Sequence, residues 1–184
     1  VCPAFPENGR TIYMGNLFVG DVPLSESGMR DHPLTPMRDS HLVRVLARQT
    51  ARKTGLVPHR VVKLGAAAIA TAFADLRKNG VRHAVVDALE DQDLLALGKA
   101  CSDLALVTGG SGAALGLPEN FRTQGLLPKR STVSALAHVK GHGVVLSGSC
   151  SNATLVQVEA MKRQFPSRAI EIAQLTASRS HAVS

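Results

Sequence analysis

The segment Phe18–Met37, FVGDVPLSESGMRDHPLTPM, gathers Ser25, Glu26, Ser27, Arg30, Asp31, His32 and Thr35 among Pro23, Pro33 and Pro36. Prolines at that spacing forbid a continuous helix and break any central strand. Loops so rich in hydrogen-bonding side chains are where rigid scaffolds carry their chemistry. His32, between Asp31 and Pro33, has the make-up of a base or a ligand contact. Composition alone leaves a plain surface loop equally open.

Two small-residue turns form a second group. GGSG, at Gly109, Gly110, Ser111 and Gly112, and SGSCS, over Ser147, Gly148, Ser149, Cys150 and Ser151, each separate an apolar run from a helical pattern. Small residues let a ligand approach the backbone, and free amides at a helix start attract anions. Neither turn has the lysine or the spacing of a Walker A loop. Tight strand-to-helix turns prefer the same residues for packing alone. A thiol at a helix start can ionise readily. Cys150 nevertheless has no His or Asp beside it, and it is expected to be a small packed residue. The seven histidines show no metal-ligand spacing, and no metal site is expected.

The elements that must position these groups follow from periodicity. Ile12 to Val19 is an expected strand broken at Gly15 and Asn16. Asp39 or Ser40 caps a helix with Leu42, Val43, Val45 and Leu46 as its apolar stripe. Arg44, Arg48 and Arg52 then form a solvated face. A strand is expected over Arg60 to Leu64, a helix over Ala66 to Lys78 closed by Gly80, and a strand over His83 to Val86. Asp87 follows, and Asp91 and Asp93 open the next helix, where acidic groups complement the helix dipole. Another strand is expected over Leu104 to Val107, running into GGSG. Beyond a connection rich in Gly and Pro, with the basic pair Lys129 and Arg130, Val144 to Leu146 is expected as a strand. A helix follows from Asn152, and the tail beyond Gln164 holds one more short strand.

Alternating strands and helices give an α/β class, with a parallel or mixed sheet flanked by helices and the first βα unit of a second α/β domain. The expected division is 1–117, a connection over 118–142, and an incomplete second domain over 143–184. Ligands in such sheets sit beyond the carboxyl ends of strands. That rule marks Asp87 and both small-residue turns.

Composition narrows the classes. The 184 residues are 45% hydrophobic, with no Trp, one Tyr and five Phe, so Ala, Val, Leu and Ile must build the core. No apolar run reaches the roughly 18 residues of a membrane-spanning helix. A net charge of +7 favours phosphorylated or anionic ligands. The cations are dispersed and stacking aromatics are scarce, which argues against nucleic acid as a partner. Three scattered cysteines and the lack of a visible secretory signal lead to the expectation of a reducing cytoplasm.

PAFPENGRTIYMGNLFVGDVPLSESGMRDHPLTPM from Pro3, AVVDA from Ala84, LVTGGSG from Leu106 and VVLSGSCSNAT from Val144 together resemble the four-carbon acid sugar kinases. The SESGM and HPLTPM versions are most similar to the 3-oxo-tetronate kinase branch. The resemblance implies ATP-dependent phosphorylation of the terminal hydroxyl of a four-carbon sugar acid, with ATP and Mg²⁺ as cofactors. It implies that Arg10, Ser25, Glu26, Ser27 and His32 face the acid. It also implies that Gly148, Ser149 and Ser151 lie at the nucleotide, and Gly109, Gly110, Ser111 and Gly112 near the interdomain cleft. A guanidinium at Arg10 suits a carboxylate through paired hydrogen bonds. No residue is assigned as the catalytic base. A threonate or erythronate kinase, or a non-catalytic small-anion-binding module, remains the alternative.

The family's opening Asp-Asp-x-Thr-Gly-Ala loop and its late glycine-rich nucleotide loop do not occur in the sequence. The chain is therefore expected to be the middle of such a kinase, with little activity alone. An unpaired sheet edge would leave it poorly soluble or self-associating.

Overall fold

In the computed structural model the described residues are 1–32, 34–128, 140–149 and 151–170. Pro33, Cys150, Lys129, Arg130 and the strand expected in the tail lie wholly or partly outside them. The chain divides into two compact units, 1–132 and 133–184.

The first unit opens with an antiparallel meander of β1 (Arg10–Tyr13), β2 (Asn16–Val19) and β3 (Val22–Pro23). Tyr13 pairs with Asn16, leaving Met14 and Gly15 as a two-residue turn. Both turn residues have positive φ, 50° and 76°, the conformation that matches the twist of a tight hairpin. Period-two alternation then turns Ile12 and Leu17 into the core. The expected break at Gly15 and Asn16 is this turn.

The parallel layer is built on β4 (Thr54–Val57) and β5 (His83–Val86), paired from Thr54 with His83 to Val57 with Val86. Backbone hydrogen bonds extend it. Val86 N donates to Val1 O at 3.1 Å, Cys2 N to Thr108 O at 3.0 Å, and Gly110 N to Cys2 O at 3.1 Å. The meander joins this layer where Ile12 and Ala88 exchange backbone hydrogen bonds at 2.8 and 3.1 Å.

Helices α1 (Leu42–Ala47), α2 (His59–Val62), α3 (Ala66–Lys78), α4 (Asp91–Ala100) and α5 (Leu117–Thr123) surround the strands. Ile12, Val57, Val62, Ile69, Val86 and Leu94 form the centre of the core. Glu90 and Asp93 close a reciprocal capping box on α4, which satisfies two otherwise orphaned amides. The mixed α/β architecture agrees with expectation.

Two strand expectations fail in this unit, and a third, over Val144 to Leu146, fails in the second unit. Arg60 to Leu64 is not a strand: Pro58 ends β4 in an extended conformation, and the chain turns directly into α2. Leu104 to Val107 forms no strand, because only the following Thr108 to Gly110 reaches Cys2. Helix α5 is tied back within the first unit where Asn120 Nδ2 donates to Gly98 O at 2.7 Å.

In the second unit, α6 (Asn152–Lys162) starts as expected, with Ser151 Oγ accepting from Thr154 N at 3.3 Å. Val144, Val145 and Leu146 are exposed and lie outside any strand.

Candidate functional site

Asp87 follows the last residue of β5, at the carboxyl edge where α/β sheets present ligands. Its side chain is fully buried. One carboxylate oxygen, Oδ2, accepts from Met14 N at 2.7 Å and His59 N at 2.9 Å, and Oδ1 accepts from Gly15 N at 2.9 Å. A single buried anion thereby fixes the hairpin turn and the start of α2 at the same edge. Backbone N–H groups aimed at a carboxylate make strong, short hydrogen bonds.

His59 stands beside it. Its Nε2 lies 3.3 Å from Asp93 Oδ2, and Asp93 is itself almost completely buried. The Asp93 oxygen also accepts from Leu89 N at 2.8 Å and Glu90 N at 3.3 Å. The Tyr13 ring meets the His59 ring edge-on, with centroids 6.2 Å apart. Tyr13 is half exposed, so this group borders solvent. Asp93 is structural, as expected, and also faces an imidazole.

The polar loop is organised about Ser40. Ser25 N and the Ser25 hydroxyl both lie 2.9 Å from Ser40 Oγ. Ser40 O in turn accepts from Leu17 N at 3.0 Å, which anchors the loop to β2. Ser27 is buried, donating its hydroxyl to Leu24 O at 2.8 Å and accepting from Met29 N at 3.2 Å. His32 Nδ1 accepts from Leu34 N and Thr35 N, at 3.3 and 3.2 Å, so this nitrogen closes a turn. Glu26 is exposed.

Arg10 lies at the other end of β1 from the Met14–Gly15 turn and pairs with Val19. It is exposed, and no hydrogen bond or ion pair of its guanidinium occurs among the described residues. Its backbone exchanges hydrogen bonds with Phe5 at 2.8 and 3.0 Å. Phe5 and the residues before it also meet the GGSG turn. A Cβ added at Gly109 would overlap the Cys2 carbonyl oxygen, and one at Gly112 would stand 2.7 Å from Ala4 O. The glycines are thus required by close packing on residues 2–5. Arg10 and GGSG share that segment, whereas Ser25 and Ser27 belong to the loop on Ser40.

In the second unit, Ser149 Oγ accepts from Ser151 N at 3.2 Å, and the Ser151 and Thr154 hydroxyls are 2.9 Å apart. Ser149, Ser151 and Gly148 are all exposed.

Charge on the expected arginine face is partly paired. Arg44 donates to Asp39 through Nη2 at 2.6 Å and Nε at 2.9 Å, and Arg48 Nη2 lies 3.1 Å from the same carboxylate. The Arg44 guanidinium holds the Asp39 carboxyl well below the usual carboxylate range. Burial pushes the thiols of Cys2 and Cys101 up, that of Cys2 to about 11. No group of three metal-ligating side chains occurs among the described residues. A cavity of about 280 Å³ is lined by Val1, Cys2, Phe73, Arg77, His83 and Val107 among others. Its walls carry none of the expected site residues.

The strand-end rule located Asp87 from sequence. It missed His59, because the strand that positions it was expected at Arg60 to Leu64 instead of Thr54 to Val57. The same rule applied to the true strand would have marked Pro58 and His59.

Comparison with known proteins gives the chain its family. Residues 1–117 match the family described as the sugar-binding N-terminal domain. The chain belongs to that family. It is 56% identical over 170 residues to the 3-oxo-tetronate kinase of Burkholderia multivorans, covering 92% of this chain and 40% of the relative. A crystal structure of a Haemophilus influenzae protein superposes with a TM-score of 0.68 at 45% identity, covering 94% of this chain and 41% of that one. A Bordetella bronchiseptica domain of unknown function, solved with bound citrate as a domain-swapped dimer, is 31% identical with a TM-score of 0.53. It covers 65% of this chain and 28% of its own. The chain thus spans about two fifths of the kinase relative's length, as the resemblance to a four-carbon acid sugar kinase implied.

Proposed function

We propose that this chain supplies the sugar-acid-binding part of an ATP-dependent kinase that phosphorylates the terminal hydroxyl of a four-carbon sugar acid of the 3-oxo-tetronate type. The observation that carries this reading is the match of residues 1–117 to a sugar-binding domain within a chain 56% identical to a named 3-oxo-tetronate kinase. Citrate, bound in the Bordetella bronchiseptica relative, is also a hydroxylated carboxylic acid. It favours an anionic, hydroxyl-bearing ligand for this chain.

In this reading the Arg10 guanidinium, with no hydrogen bond or ion pair among the described residues, takes the carboxylate through paired hydrogen bonds. The loop bearing Ser25, Glu26, Ser27 and His32 borders the acid. Ser25 and Ser27 hold the shape of that loop through Ser40 and Leu24 O, leaving Glu26 and the second ring nitrogen of His32 to face solvent and ligand. Gly109, Gly110 and Gly112 allow residues 2–5 to lie flat at this edge, and Ser111 is exposed beside them. Gly148, Ser149 and Ser151 hold phosphate oxygens of ATP, an arrangement suited by their exposure and by the amides opening α6. ATP supplies the transferable phosphoryl group, and Mg²⁺, which binds mainly phosphates and water, accompanies it. The division into 1–117, a connection over 118–142 and the start of a nucleotide-binding domain over 143–184 belongs to this reading. So do a cytoplasmic setting and self-association.

Titration of the chain with 3-oxo-tetronate, followed by backbone amide NMR, tests the reading. Saturable shifts are expected at Arg10, Thr11 and Ser25 to Ser27. A flat titration at these amides contradicts it.

A further inference from the structure

We infer that His59 is a ligand-contacting residue of the sugar-acid site, held by Asp93 to accept a hydrogen bond from a hydroxyl of the bound acid. The inference rests on the sugar-acid reading and adds a residue to it.

His59 is fixed from three directions. Its backbone amide donates to Asp87 Oδ2 at 2.9 Å, its Nε2 stands 3.3 Å from Asp93 Oδ2, and the Tyr13 ring meets its ring at 60°. A side chain locked in this way loses little freedom when a ligand arrives. The imidazole is still open: its side chain keeps 21% of its exposure, against 5% for Asp93. Every buried side-chain nitrogen or oxygen among the described residues has a hydrogen-bond partner. Nδ1 of the His59 ring, on the side away from the Asp93 contact, has no hydrogen-bond partner among the described residues and so reaches solvent.

The neighbouring charges select the ligand group. A ring that carries its proton on Nε2, the nitrogen 3.3 Å from Asp93, presents Nδ1 as an acceptor. Asp87 and Asp93 are both buried carboxylates within reach of this residue. A ligand carboxylate placed here would meet like charge, which is costly, whereas a hydroxyl can donate. The acid's anionic end therefore belongs away from His59, and a hydroxyl belongs at it. Asp93 acts through the ring and is a positioning residue.

The test uses the 184-residue chain with ¹⁵N-labelled histidine, titrated with threonate, a hydroxylated four-carbon acid, and in parallel with succinate, which has no hydroxyl. The His59 ring signal is expected to shift saturably with threonate and to stay within error with succinate. His59→Gln is expected to weaken threonate binding at least fivefold with its melting temperature within a few degrees of the parent. Ring ¹⁵N shifts should report the Nε2–H tautomer in the parent and a redistribution in Asp93→Asn. Shifts at Arg10 and Ser25 to Ser27 with a silent His59 ring would overturn the inference and leave the sugar-acid reading standing. Equal ring responses to both acids would overturn the hydroxyl assignment. Silence at every site would overturn the inference together with the reading on which it rests.

Discussion

Asp87 bears the largest share of the local design. A carboxylate with three backbone donors cannot be replaced by an amide without turning one acceptor into a donor that faces N–H groups. Asp87→Asn is expected to destabilise the chain by about 3 kcal/mol, since a lost hydrogen bond to a charged group and an unsatisfied buried amide each cost a few. Urea unfolding measures this, and a loss below about 1 kcal/mol would contradict the role. Cys2 offers a second residue-level expectation. Burial disfavours the thiolate and pushes the thiol up to about 11, from 9.0 for a free thiol. A raised folded value means that its contribution is complete below pH 9 and is lost as pH rises towards 11. The shift corresponds to about 2–3 kcal/mol. Melting temperature followed across that range should fall more steeply for the parent than for Cys2→Ala.

At the scale of elements, the GGSG turn is where packing and sequence pattern part company. Its residues suggest an anion cradle, yet Gly109 and Gly112 are pressed against the Cys2 and Ala4 carbonyls. Gly112→Ala is expected to cost on the order of 1–3 kcal/mol as an overpacked contact, read by thermal melting. Ser111→Ala, at an exposed position, should leave stability within about 0.5 kcal/mol. Equal effects at both positions would contradict this account of the turn. The same contrast explains how much was legible. Helix α3, strand β5, the hairpin break and the start of α6 have local signals: an alanine-rich run, a β-branched run, Gly15 and a serine cap. Strand β4 does not, because Thr-Gly-Leu-Val carries a glycine mid-strand, where an added Cβ would stand 3.0 and 3.1 Å from Leu76 and Val81. The Val-rich stretch after Pro58 offered a better strand pattern and was helix. Asp87 was visible from its place after β5. The His59–Asp93 approach joins residues 34 positions apart, and nothing local announces it.

At the scale of the whole molecule, the first unit has a continuous core and a sheet extended by residues 1–2 and 108–110. Leu104 and Leu106 remain exposed beside it, and the second unit leaves Val144 to Leu146 uncovered. Exposed apolar segments next to strand edges favour pairing between chains. The chain is therefore expected to sediment as a dimer or larger species at micromolar concentration, and a monodisperse monomer would contradict this. The Burkholderia multivorans relative, a 3-oxo-tetronate kinase, is matched by this chain over about two fifths of its length. The most direct measurement replaces the matching segment of that relative with this chain and assays ATP-dependent phosphorylation of 3-oxo-tetronate, beside the unaltered relative. The account predicts turnover within about tenfold of the relative, since a site kept intact preserves most transition-state stabilisation. A folded chimera that binds ATP but leaves 3-oxo-tetronate unphosphorylated would contradict it.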